Sequence, residues 1–194
     1  MDGGAGDDVI IVDSDDVVIE AVGGGNDLVM AQTSFALNAG AEVETLSTNN
    51  GGSNAAIALT GNELGQTIIG NEGANVLDGK GGNDSLVGLG GADTFAFTTA
   101  LGAGNVDIVV GFELGADKIA LDDAIFTAIG GLGALNANAF VTGNAAADAS
   151  DRIIYNSLTG QLFYDADGTG AGAAVQFAQM SPGVSLSASD FQVI

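Results

Sequence analysis

Asp84 and Asp93 stand nine residues apart, and each is followed two places later by a large apolar residue, Leu86 and Phe95. Five places before each stands a glycine, Gly79 and Gly88. Asn75 and Gln66 hold the same place one and two periods upstream, ahead of Leu77 and Ile68 and behind Gly70 and Gly61. Carboxylates and glycine carbonyls on a fixed beat are oxygen donors. Ca2+, a hard cation, takes six to eight of them at about 2.3–2.6 Å. Zinc and the other softer metals lose their usual ligands, because the chain has no His and no Cys. The same absence removes the bases and ligands of triad and metal-hydrolase chemistry. A carboxylate pair for glycosidic chemistry would have to come from aspartates that the repeat already uses, so no catalysis is expected from this chain.

The elements that must position these carboxylates follow from the beat itself. From Gly61 the chain reads GNELGQTII, GNEGANVLD, GKGGNDSLV and GLGGADTFA, four units without a gap. Upstream, GGAGDDVII (3–11) and VGGGNDLVM (22–30) repeat the pattern, with Asp8 and Asp27 sixth and Ile10 and Val29 eighth. Six glycine-rich residues can reverse the chain, and three more form a short strand whose middle side chain points inward. Two units make one coil, and coils stack at about 4.8 Å. Turn 70–75 then lies under 88–93 and turn 61–66 under 79–84, so that sixth-place carboxylates converge. The fold expected is an all-β, right-handed parallel β-roll, a repeat architecture of the solenoid kind. A flexible glycine linker would have no reason to keep register with inward apolar residues, and a metal-free solenoid would not explain aspartate at one fixed place. Gln66 and Asn75 lack the charge, so their layer should bind weakly or not at all.

Charge supports the same reading. The 194 residues carry 25 Asp plus Glu against Lys80, Lys118 and Arg152, a net charge of -22. Such a chain repels itself unless a cation neutralises it, and it cannot bind phosphate backbones, so nucleic acid is not an expected partner. Evenly spread Val, Ile, Leu and Phe oppose plain disorder once the charge is compensated. No apolar run reaches the roughly 18 residues of a membrane span, and Met1 is followed by DGGAGDD rather than a secretory leader. The chain opens inside a repeat, which points to a piece of a longer protein with its effector upstream.

On these repeats the sequence resembles the RTX family, whose members are exported by bacterial type I secretion; serralysin-type metalloproteases, haemolysins, lipases and alginate epimerases carry such repeats. The resemblance implies turn calcium held by the sixth-place Asp and by carbonyls near the first and third places. Here it implicates Gly79, Gly81 and Asp84, then Gly88, Gly90 and Asp93, then Gly70, Glu72 and Asn75, and upstream Gly3, Ala5, Asp8 and Asp27. NVDIVVGFELGADKIAL (105–121) looks like the segment that closes the roll in serralysin-like tails, which makes Asp107 and Asp117 late calcium ligands. Ordinary turn carboxylates are the alternative for these two. Gly111 stands where that family often has Asp.

The remaining segments are expected to divide the chain into N-terminal coils (1–30), metal-poor spacer coils lacking Asp (31–60), calcium-binding coils with a closing segment (61–121) and a β-rich capping and secretion region (122–194). In the last, LDDAIFTAIGGL (121–132) is read as a short helix capped by Asp122 or Asp123. RIIYNSLTGQLFYDADG (152–168) reads as a hairpin and AVQFAQM (174–180) as a third strand. Arg152, Tyr155, Phe163, Tyr164 and Phe177 are expected to build a small core. YDADGTG (164–170) fails as an EF-hand, since Gln176 rather than Glu holds the twelfth place, and is read as a solvated turn. The closing SASDFQVI resembles the end of a type I secretion signal, which implies an ABC transporter as partner. The expected function is an extracellular module that folds on Ca2+ after export and stabilises or caps a larger secreted protein; the alternative is a calcium-stiffened adhesin or surface-layer segment.

Overall fold

Each glycine turn is followed by a short strand in a computed structural model of the chain, which describes residues 1–49 and 51–194. Asn50, one of the residues that divide the 31–60 segment, lies outside the described residues. The repeat region forms β1 (Val9–Val12), β2 (Leu28–Ala31), β3 (Phe35–Ala36), β4 (Thr45–Thr48), β5 (Ala58–Thr60), β6 (Thr67–Ile69), β7 (Val76–Asp78), β8 (Ser85–Val87), β9 (Thr94–Phe97), β10 (Asp107–Val110) and β11 (Lys118–Leu121). Strands β12 (Gly133–Ala134), β13 (Phe140–Thr142), β14 (Ile153–Asn156), β15 (Gln161–Tyr164), β16 (Val175–Gln179) and β17 (Phe191–Val193) follow. One sheet runs β1-β2-β4-β6-β8-β10 and a second β11-β9-β7-β5-β3, with every neighbour parallel. From β2 to β11 the chain alternates between the sheets at successive turns, which is the parallel β-roll that the nine-residue beat requires.

The eighth-place side chains form the interior. Strand register stacks Ile10, Val29, Leu46, Ile68, Leu86 and Val109 on one side. Phe35, Leu59, Leu77, Phe95, Ile119 and Phe191 stack on the other. All twelve are buried. Side chains alternate across a strand, so β5, β6 and β8 bury their middle residue and turn their flanks outward, while β7 also buries Asp78. Burial of each large apolar one is worth about 1.5–3 kcal/mol.

Residues 122–194 extend both sheets. Strand β16 pairs parallel with β10, and β15, β14 and β13 continue outward from it, while β17 pairs parallel with β11 and carries β12 on its far side. The hairpin β14–β15 and the third strand β16 stand where the sequence places them. Phe177 anchors an aromatic cluster, edge-on to Phe97 at 5.1 Å and to Phe126 at 5.2 Å. Tyr164 is edge-on to Phe126 at 5.1 Å and its hydroxyl accepts from the Ala128 N–H.

Three expectations for this region are corrected. Residues 121–132 form consecutive turns rather than a helix: Asp122 caps one α-turn, its carboxylate accepting from Ala124 N and its carbonyl from Phe126 N, and Gly130 at φ +113 ends the segment. Among the described residues the helical elements are single 3-10 turns at Ala137–Ala139 and Ala188–Asp190. Phe163 is only half-buried, because the strand alternation gives the inward places to Leu162 and Tyr164. Arg152 is also half-buried; its guanidinium caps the carbonyls of Ala128, Ala149 and Asp151. The turn after Tyr164 is not wholly solvated either, since Asp165 is buried and accepts from the N–H groups of Asp167 and Gly168.

Leu86→Ala in the fully buried stack should destabilise the folded chain by about 2–5 kcal/mol, whereas Val87→Ala on the outer flank should cost well under that. Urea unfolding in saturating calcium compares the two, and equal losses would contradict the inward assignment of the eighth place.

Candidate metal centres

The sixth residue of each unit is the last of its turn, so its N–H faces the next coil along the roll. There it meets the sixth-place side chain of that coil. Gln66 N–H donates to Asp84 Oδ1 at 2.6 Å and Asp84 N–H to Asp107 Oδ1 at 3.0 Å. On the other edge, Asn75 N–H donates to Asp93 Oδ1 and Asp93 N–H to Asp117 Oδ1, both at 2.8 Å. The N-terminal coils continue the rule, with Asp8 N–H on Asp27 Oδ1 at 2.9 Å and Asp27 N–H on Glu44 Oε2 at 2.7 Å. Two carboxylate ladders therefore run down the edges of the roll.

Asp27, Asp84 and Asp93 each use one oxygen in this way, and the other points into a protein-made cradle. Oδ2 of Asp8, Asp27, Asp84 and Asp93 is buried without a hydrogen-bond partner. A Cβ at Gly79 would collide with Asp84 Oδ2, and one at Gly88 with Asp93 Oδ2. Glycine in the first place is thus needed for the space that the sixth-place carboxylate enters. Buried anionic oxygens without partners are costly, and at Asp84 and Asp93 burial raises the carboxyl pKa. Burial, reinforced by Asp107 and Asp78, pushes Asp84 up to about 8 against the lowering effect of the Gln66 N–H. Burial, with Asp117, Glu113 and Glu72, pushes Asp93 up to about 6. Asp107 is likewise raised to about 6, by burial and then by Asp78.

No basic side chain is placed to neutralise these groups. Lys80 pairs with Asp78 at 3.0 Å, the one ion pair among the described residues. Lys118 Nζ donates to the Ser189 carbonyl and Arg152 is held by carbonyls. Stacked, buried, unpartnered carboxylate oxygens beside glycine cradles fit a hard, oxygen-seeking cation.

The other expected ligands divide. Gly90 lies against the Glu72 carboxylate, so Glu72 brings a side chain near the Asp93 turn as well as its backbone. Gly81 packs over Glu63, Gly70 over the Asn75 amide, and Gly3 against the carboxylate of Glu20, while Ala5 is exposed in its turn. Asn75 and Gln66 close their own turns. The Asn75 side-chain oxygen accepts from Asn71 N–H at 2.7 Å, and its Nδ2 donates to the Ile57 carbonyl and Asn71 Oδ1. Gln66 bonds Asn62 in the same manner. The Gln66 and Asn75 amides are thus satisfied by the protein, while Asn71 Nδ2 beside Asn75 is buried without a partner. Asp117 has both oxygens on backbone donors, from Asp93 and Glu113, and so acts in the structure as a turn carboxylate that ends its ladder. Gly111 adopts φ +77, a conformation that aspartate at this place would strain.

Sequence reasoning missed Glu20 and Glu44. Glu44 sits two places before buried Leu46 within residues 39–47, so the nine-residue frame was readable there once glutamate was admitted for aspartate. Glu20 offered no such signal, because it ends the insert between two repeats.

A pH dependence follows. Asp84, Asp93 and Asp107 are raised above their ordinary 3.8. The folded, cation-free chain then binds more protons than the unfolded chain above about pH 4, and its stability falls as pH rises through the raised values. A cation displaces those protons. Calcium titrations at about pH 5.5 and about pH 8 should place the midpoint at higher calcium in acid, and Asp84→Asn should flatten that dependence; a pH-independent midpoint would contradict it.

Residues 60–95 match the family model of the RTX calcium-binding nonapeptide repeat in four copies. No curated protein matches the chain. The matched stretch contains the gapless units, the glycine cradles and the carboxylates Asp84 and Asp93. Residues 60–95 are therefore RTX nonapeptide repeats, a repeat type that binds Ca2+ at several sites.

Proposed function

We propose that this calcium-binding module folds on Ca2+ after type I secretion and stabilises or caps a larger secreted protein. The observation that carries the reading is the pair of carboxylate ladders: buried, like-charged oxygens without protein partners, in a chain of net charge -22. Without a counter-charge, their repulsion joins the backbone entropy of 32 glycines in opposing the fold. Ca2+ supplies that counter-charge, and its binding free energy becomes folding free energy. At cytoplasmic calcium the chain stays unfolded and able to thread an ABC transporter. Outside, millimolar calcium suits affinities of about 10⁻⁴–10⁻³ M typical of extracellular modules.

The placement of the tail supports the order of events. Phe191 and Val193 are buried within β17, and Asp190 is held by Ser187. A transporter that reads SASDFQVI must therefore read it before this strand docks on β11. The ligand set proposed for the repeat sites is Asp84 with Gly79 and Gly81, continued by Asp107, and Asp93 with Gly88, Gly90 and Glu72. An adhesive role would be favoured by an exposed apolar or aromatic patch in the C-terminal third, where Leu132, Leu158, Val175 and Ile194 are exposed but no Phe or Tyr is.

Far-UV circular dichroism during a calcium titration, with magnesium as control, tests the proposal. A cooperative coil-to-β transition specific to calcium, with its midpoint in the submillimolar to millimolar range, is expected. A β spectrum that survives a strong chelator would remove the unfolded export state and the proposal with it.

A further inference from the structure

Beyond the matched repeats, the first two coils bring together three carboxylates by a different device. Oxygens of Asp8, Glu20 and Asp27 lie within 4.8 Å of one another. Glu20 is 4% exposed and Asp27 2%, and Oε2 of Glu20, like Oδ2 of Asp8 and Asp27, is buried without any hydrogen-bond partner. Three like charges gathered around one point, each keeping an unused oxygen, have no reason to converge unless something positive sits between them.

The local chain explains how Glu20 arrives there. The insert 12–20 ends in a parallel bridge between Asp2 and Ile19, in which Ile19 N–H donates to the Met1 carbonyl at 2.7 Å. That bridge fixes the backbone immediately before Glu20. The side chain then enters the space left by two glycines: a Cβ at Gly3 would collide with Glu20 Oε2, and one at Gly24 would lie 2.6 Å from Glu20 Oε1. In the repeat units this cradle belongs to the unit's own sixth-place aspartate, as at Gly79 and Gly88. Here a glutamate from outside the turn fills it, and Asp8 and Asp27 are added. Glu44 and Glu42 stand behind, accepting from Asp27 N–H and Gly23 N–H, and so set the turn that carries Asp27.

We infer that Glu20, from outside the repeat units, joins the sixth-place Asp8 and Asp27 in a three-carboxylate Ca2+ site that depends on the 12–20 insert. Affinity for Ca2+ rises with the number of charged ligands, so this site fills at lower calcium than the repeat sites with fewer carboxylates. Its occupation pins the first coil, whose strand β1 is the outermost of its sheet, before the rest of the roll is saturated. Ca2+ tolerates irregular oxygen sets, whereas Mg2+ demands near-octahedral geometry and retains its waters, so magnesium should not substitute. The inference rests on the calcium-binding reading of the chain but not on its export.

The test compares the full chain with Glu20→Gln, which keeps shape and removes one charge. Equilibrium dialysis with calcium counts bound ions, and amide hydrogen exchange follows Val9–Val12 and Leu28–Ala31. The variant should lose the tightest ion or bind it roughly tenfold or more weakly, and protection of these strands should require correspondingly more calcium. The calcium-driven gain of β structure from residues 61–121 should remain. Protection that is lost and cannot be rescued by excess calcium would mark Glu20 as merely structural and overturn the inference. An unchanged stoichiometry and affinity would overturn it too. Absence of any calcium-dependent transition in the unmodified chain would instead sink the functional reading, so the two failures are distinguishable.

Discussion

Most coils of the roll set a carboxylate directly against the turn of the coil before, and the rest of the structure depends on how that contact is balanced. The Oδ1 half of the contact is favourable: Asp84 and Asp93 accept from Gln66 and Asn75 N–H groups, so that each turn's last donor is satisfied by its neighbour. The Oδ2 half is not. It leaves a buried anion facing its own glycine, with further carboxylates at Asp107, Asp78, Asp117 and Glu72 close enough to raise its proton affinity. A fold built on this contact carries a like-charge repulsion at every carboxylate turn, which a cation there would offset.

The apolar interior makes that balance sharp. The stacked eighth-place residues bury one large side chain per strand, and the strands are only two to four residues long in the repeat region. No single strand could hold itself in place at that length; stability comes from stacking with neighbours, as in other solenoids. Turn neutralisation and strand stacking therefore act together, because a coil whose turn is not closed cannot present its eighth residue in register. The amide layers of Asn75 and Gln66 show the other solution to the same problem. Their turns are closed by side-chain hydrogen bonds to Asn71 and Asn62, which gives the middle of the roll turns held together without charge.

The C-terminal third completes the roll rather than standing beside it. Phe191 extends the stack that begins at Phe35, and β16 continues the sheet that begins at β1. The final strand of the chain is thus an integral part of the folded core, which ties the accessibility of the tail to the folding state of everything upstream.

The nine-residue spacing of Gly, Asp and one large apolar residue determined by itself the parallel roll, the inward eighth place, the two edges and the carboxylates Asp8, Asp27, Asp84 and Asp93, because a strict period fixes which residues stack whatever the details of the turns. The hairpin at 153–164 was legible for a similar local reason, a Ser-Leu-Thr-Gly turn between two apolar runs. What tertiary structure alone decided lies where the period breaks or where a partner comes from a distance. Glu20 reaches its cradle only because the Asp2–Ile19 bridge folds the insert back on the first turn. Phe163 loses its core place to Leu162 and Tyr164 through the alternation of β15. Residues 121–132 stop as turns rather than a helix. Whether a carboxylate keeps a free oxygen was also beyond sequence: Asp93 and Asp117 each accept an N–H from the coil before, yet Asp117 Oδ2 is also met by the Glu113 N–H of its own turn while Asp93 Oδ2 is met by none.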